Sequence, residues 1–156
     1  MLDDDALKTP SFFPATRDTA LARLKAFTPQ MGSFYSNERN SDFGAEDRSN
    51  VSCLSPFHAH RLLTEQETVA HAISEHSAET AEKFIQEVYW RTYFKGWLEQ
   101  RPSVWTRYKA AVSDALGGLK GERKTAYERA VAGETDIECI NAWAKELIQT
   151  GYLHNH

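Results

Sequence analysis

Helix-starting and helix-stopping signals recur along this chain from Thr16 to Gly151, and no segment shows four or more clean alternations with β-branched enrichment. Strands need a period of two, whereas these residues supply a period near 3.6, so the chain is predicted to be all-α. Thr16 is placed to cap a helix carrying Ala20, Leu21, Leu24 and Phe27 on one face, and Pro29 marks its end. Residues 32–53, rich in Gly, Ser, Asn and Asp, read as a long loop. Ser55-Pro56 opens the next helix, which runs to about Leu63, because Ser can cap free amides and Pro fits the first helical position. Thr64-Glu65-Gln66-Glu67 then forms a capping box before a helix with Val69, Ala72 and Ile73 inward.

The longest helical pattern runs from about Ala78 to Gln100, with Phe84, Val88, Arg91 and Lys95 at spacings of three or four, and stops before Pro102. A further helix from about Ser103 to Leu116 ends at Gly117-Gly118, and a shorter one from about Glu122 ends at Gly133. Thr135-Asp136-Ile137-Glu138 reads as a second capping box, followed by Ile140, Ala144, Leu147 and Ile148, with Gly151 as the stop. Ahead of all this, residues 1–15 hold Pro10 and Pro14 around Phe12-Phe13 and read as an extended lead whose aromatics pack on the body at residues 16–156.

At 156 residues the chain has the length of one domain, and no apolar run approaches the ~20 residues of a membrane span. The acidic start Met1-Leu2-Asp3-Asp4-Asp5 lacks a basic, then apolar, export signal, so a cytoplasmic location is expected. Eighteen basic against 22 acidic side chains leave a net charge of −4, which excludes a global positive field for nucleic acid and leaves only a local patch. Cys53 and Cys139 form no CxxC pair and are expected to be ordinary buried thiols.

The candidate chemistry lies in two places. The junction Val51-Ser52-Cys53-Leu54-Ser55-Pro56 brings hydroxyls to a helix start, where unpaired amides suit a phosphate; a capped helix is the plainer reading. On the longest helix, Phe84, Glu87, Trp90 and Arg91 gather an aromatic ring, a carboxylate, an indole and a guanidinium within two turns, with Glu87 and Arg91 spaced to pair at i and i+4. That mixture suits an aromatic, hydrogen-bonding ligand as well as it suits a solvated charge pair beside core aromatics. The six histidines lack chelating spacing, so no metal site is expected, and the commonest nucleotide and hydrolase signatures, GxGxxG, GxxxxGK[ST] and GxSxG, do not occur.

Taken in order, these segments resemble the flavin-binding helical domain of the DNA photolyase/cryptochrome family. Phe13-Pro14, Ala20, Arg23-Leu24 and Phe27 resemble that domain's entry. Tyr35 with Arg39-Asn40 precedes Val51-Ser52-Cys53-Leu54-Ser55-Pro56-Phe57-His58, which is similar to the family's TSxLSPYL. Glu87-Val88-Tyr89-Trp90-Arg91 matches ELxWR, and Gly133 to His156 lines up with the family's GxTGxPxVDAxMRxLxxTGWMHNR segment. Val51 for Thr, Arg61 for Gly, Asp136 for Gly, Glu138 for Pro and Asn141 for Asp mark a divergent branch.

The resemblance implies a multi-helical bundle and a bound flavin adenine dinucleotide, FAD. Tyr35, Ser52, Leu54 and Ser55 would contact its phosphates and ribityl chain. Phe84, Glu87 and Arg91 would line its rings, and Asn155 would reach it from the last loop. Glu87 and Trp90 would also face a pyrimidine dimer in damaged DNA, opened by a light-driven electron from the reduced flavin. The alternatives are a cryptochrome-type blue-light sensor and a helical scaffold without stable flavin. Family members normally carry an amino-terminal antenna domain and a longer carboxyl-terminal part, so these residues alone are expected to bind flavin weakly or not at all.

Overall fold

The computed structural model describes residues 13–44 and 46–154. Phe12 and Asn155 therefore lie outside the described residues. Every regular element among them is helical, so the all-α expectation holds: α1 Arg17–Phe27, α2 Ser33–Glu38, α3 Ser55–Ala59, α4 Glu65–Glu75, α5 Glu82–Glu99, α6 Pro102–Gly117, α7 Glu122–Val131 and α8 Glu138–Thr150. A single 3-10 turn, Thr28–Gln30, extends α1. The chain divides into two compact units, one reaching Thr92 and the other starting at Tyr93, so that α5 contributes to both.

In the first unit, local signals and packing agree. Thr16 caps α1 by accepting the Thr19 amide, and the stripe Ala20, Leu24 and Phe27 is buried. These residues join Met31, Tyr35, Leu54, Phe57, Leu63, Ala72, Ala81 and Phe84 in one apolar core. Phe13 meets Phe57 edge-on at 6.0 Å between centroids, so the lead's second phenylalanine does pack on the body. The capping box of α4 is formed, with the Glu67 amide donating to Thr64 Oγ1 at 3.2 Å and the Thr64 amide donating to Glu67 Oε2 at 2.9 Å. Arg17 ties α1 to this corner by donating to the Leu62 carbonyl at 2.7 Å and to both Glu67 oxygens.

Several expectations are corrected. The stretch 32–53 is not all loop, because α2 occupies Ser33–Glu38, and the remainder is pinned by the buried Asn50 side chain, which donates to the Glu38 and Ser41 carbonyls. The helix from Ser55 ends at Ala59 rather than near Leu63. On α4 the buried residues are Thr68 and Ala72, while Ile73 is exposed. The longest helix begins at Glu82, four residues later than expected.

In the second unit, α6 and α7 have no buried residue, and α8 buries only Glu146. The second capping box is absent. Ile137 occupies the N-cap of α8 without a side-chain bond; Thr135 instead receives the Ile137 amide at 3.1 Å, and the Asn141 carboxamide accepts the Thr135 amide at 2.7 Å. Asp136 pairs with Arg129 at 2.7 Å. Gly151 ends α8 in the left-handed conformation that glycine reaches without steric cost. Cys53 is buried as expected, but Cys139 lies on the exposed face of the first turn of α8.

Candidate functional site

One recess of the first unit collects the residues singled out above. It is lined by Tyr35 from α2, Ser52, Leu54 and Ser55 from the following segment, His58 from α3, Thr68 from α4, and Phe84, Glu87, Val88 and Arg91 from α5. Its volume is about 100 Å³, and it opens to solvent. The α5 residues are spaced by three and four positions, which puts them on one helical face.

An aromatic triangle forms its floor. Tyr35 and Phe84 meet edge-on at 5.1 Å, and Phe27 packs behind them at 6.2 and 6.1 Å. Burial, reinforced by the negative charge of Glu87 and opposed by Arg39, pushes the Tyr35 phenol up to about 12. It is therefore a protonated hydrogen-bond donor at neutral pH.

Ser52, Leu54 and Ser55 of the segment Ser52–Ser55 also line the recess. Arg23 on α1 donates through Nε to the Ser52 carbonyl at 2.8 Å, and Ser52 Oγ accepts the Leu54 amide at 3.4 Å. Between them Cys53 takes φ 50°, a left-handed conformation uncommon for a residue with a side chain. Ser55 is the first residue of α3 rather than its cap, and Leu54 holds the cap position without a side-chain bond. A five-residue helix carries little macrodipole, so attraction for an anion here falls to the serine hydroxyls rather than to the helix end.

The charged groups pair over long range instead of along α5. Arg91 donates to Glu65 Oε1 at 3.1 Å, and Glu87 lies 3.9 Å from Arg39 Nε. The expected Glu87–Arg91 pair is thereby replaced by two pairs that tie α5 to α4 and to the end of α2. Burial works against the Glu65 carboxylate, but its own backbone amide, His58 and Arg91 together hold its pKa below the ordinary value. Burial pushes the His58 ring below the usual histidine range, with Glu65 opposing and Arg91 adding to the shift. The ring is neutral at pH 7 and meets Thr68 Oγ1 through Nε2 at 3.2 Å.

Seven of the eight expected cofactor contacts thus surround one space, and Asn155 lies outside the described residues. Trp90 is not among the lining side chains and is 56% exposed. His58, Thr68 and Val88 join the lining without having been singled out as ligand contacts. His58 stands three residues after Ser55 and so on the same side of α3, a local signal; Thr68 comes from another helix, and no spacing near it points to the recess. No group of three metal-ligating side chains occurs among the described residues. None of their helices is long and apolar enough to cross a membrane.

No family model matches the chain, and no solved structure matches it. Two curated proteins do. The mitochondrial deoxyribodipyrimidine photolyase of Saccharomyces cerevisiae is 26% identical over 151 residues, covering 90% of this chain and 26% of the relative. The deoxyribodipyrimidine photolyase of Neurospora crassa is 25% identical over 162 aligned positions, covering 98% of this chain and 25% of the relative. The resemblance carried by the motifs and the similarity along the whole alignment therefore agree: this chain is related over nearly its full length to the deoxyribodipyrimidine photolyases, in a stretch that spans about a quarter of theirs.

Proposed function

We propose that the recess takes part of an FAD molecule and that the chain supplies one wall of a photolyase-like flavin site. The observation that carries this reading is convergence: Tyr35, Ser52, Leu54, Ser55, Phe84, Glu87 and Arg91, drawn from three separated stretches of sequence, line one recess.

The chemistry of the lining fits such a ligand. FAD presents flat apolar rings, hydroxylated chains and a charged pyrophosphate. Leu54, Phe84 and Val88 offer apolar area, Ser52, Ser55 and the protonated Tyr35 offer hydroxyl donors, and Arg91 offers a guanidinium. At about 100 Å³ the recess is smaller than a whole small-molecule pocket and is open, so it takes part of the ligand and leaves part uncovered. Incomplete coverage makes binding weaker than in an enclosed site.

When bound and reduced, the flavin supplies the light-released electron that opens a pyrimidine dimer. The chain's own residues orient and exclude. Glu65 and Arg39 hold Arg91 and Glu87 in place, which spares those side chains part of the ordering cost of binding. The edge-on aromatic floor keeps water from one side of the recess. Glu87, at the recess, and the exposed Trp90 three residues along α5 are the groups proposed to meet a dimer in damaged DNA.

The test is titration of the protein with FAD, read by flavin fluorescence. Arg91→Ala is expected to raise Kd about tenfold, the scale of a hydrogen bond to a charged group. An unchanged Kd, with helical content intact, overturns the assignment of Arg91, and failure of the parent chain to bind FAD at any concentration tested overturns the flavin site in this chain.

A further inference from the structure

We propose that the α5–α6 turn of the second unit is a docking surface for the unpaired bases of a single-stranded nucleic acid. This does not rest on the flavin reading; it stands on side chains outside the recess.

Three observations point the same way. The first is a ready-made stacking platform. Trp105 and Tyr108, on consecutive turns of α6, lie nearly parallel, with centroids 5.6 Å apart and planes 19° from each other. They are 60% and 59% exposed. With Leu98, Arg101 and Val104 they line an open groove of about 470 Å³. Flat rings held parallel in water leave an outer π-face unused, and a base can cover it whatever its sequence.

The second is charge. The chain as a whole carries −4, but residues 93–109 hold Lys95, Arg101, Arg107 and Lys109 against Glu99 alone, a local net charge of +3. All four cations are exposed. This is a local patch of the kind that the overall charge leaves as a route to phosphate contact.

The third is how the cations are placed. The Arg101 guanidinium lies 4.5 Å over the Trp97 ring, and the Lys109 ammonium 5.5 Å over that of Trp105. Cations are thus anchored to the rings and beside the groove, within reach of a backbone whose bases stack there. A helix of another protein fits this surface less well, since it would have to desolvate Arg101 where the groove lining holds no acidic side chain.

The experiment is fluorescence anisotropy of a labelled oligothymidylate titrated with the full chain at several salt concentrations. The wild-type chain is expected to bind with an affinity that falls as salt rises. Trp105→Ala is expected to weaken binding about tenfold, with most of it regained by Trp105→Phe, which keeps a ring for stacking. Arg107→Gln combined with Lys109→Gln is expected to lower the slope of log affinity against log salt by about 1.4. Circular dichroism checks that each variant keeps its helices, and Tyr108→Leu serves as the second variant should Trp105→Ala lose them. Three results overturn the proposal: equal affinity in wild type and both ring variants, equally effective competition by duplex DNA, and absence of oligonucleotide binding alongside self-association that Trp105→Ala abolishes. The last would assign the groove to a second copy of the chain.

Discussion

Glu67 shows how much one side chain can organise. Its carboxylate accepts from Arg17 on α1 and closes the Thr64 capping box of α4, and these bonds, that from Arg17 first, hold its pKa down to about 2 from an ordinary 4.5. A carboxylate with a depressed folded pKa gives stability that is complete above the unfolded value and lost as pH falls through the folded one. Urea midpoints measured across acid pH are therefore expected to fall between about 4.5 and about 2, and Glu67→Gln is expected to flatten that part of the curve while lowering the midpoint at neutral pH. At this scale the sequence was informative where partners are local. The Thr64–Glu67 box lies within four residues and was legible; the Arg17 contact, 50 residues away, was not. The same distinction explains the site. Glu87 and Arg91 are correctly spaced to pair on a helix, but Arg39 and Glu65 come from other elements, and an exposed i,i+4 pair offers only about 0.3–0.5 kcal/mol to compete with them.

Helices long enough to show a period were legible, and short ones were not. The α1 stripe of Ala20, Leu24 and Phe27 repeats at the helical spacing for 11 residues and is buried as expected. The six-residue α2 sits in a run of Gly, Ser and Asn that carries turn signals, and its buried Tyr35 is held by Phe27 and Phe84 rather than by any pattern along α2 itself. Short helices have too few turns to pay for nucleation, so tertiary packing decides them. It follows that damage to the shared core should melt α2 together with α1. Leu24→Ala removes a fully buried side chain and is expected to destabilise the first unit by about 2–5 kcal/mol. Urea unfolding followed by circular dichroism measures this, and a loss below about 1 kcal/mol would mean that the site collapses around the missing methyl groups. On α8 the pattern is present without the burial. Ile140, Leu147 and Ile148 repeat as an amphipathic helix should, but they are exposed, because periodicity marks a face able to be covered and not the thing that covers it.

For the molecule as a whole, the contrast between units is the dominant property. The first has a continuous apolar core, whereas among the described residues of the second Glu146 alone is buried. Protection of backbone amides follows buried contacts, so hydrogen exchange is expected to be slowest in α1 and α4 and fast throughout α6 and α7. Mass spectrometry of exchanged peptides reads this directly; slow exchange in α6 would show that its exposed face is covered in solution. The all-α class was legible because it needs only local periodicity. The division at Thr92 was not, since α5 runs through it without a break in pattern. The same unevenness governs how the chain tolerates change over evolutionary time. At Gly32 an added Cβ would stand 2.6 Å from His76 Nδ1, while the other ring nitrogen of His76 bonds the Thr28 carbonyl at 2.8 Å and keeps the ring from swinging away. Alanine there displaces the His76 ring and strains its bond to Thr28 unless His76 has changed first, so variation at these two positions is coupled and favours an order: the histidine before the glycine.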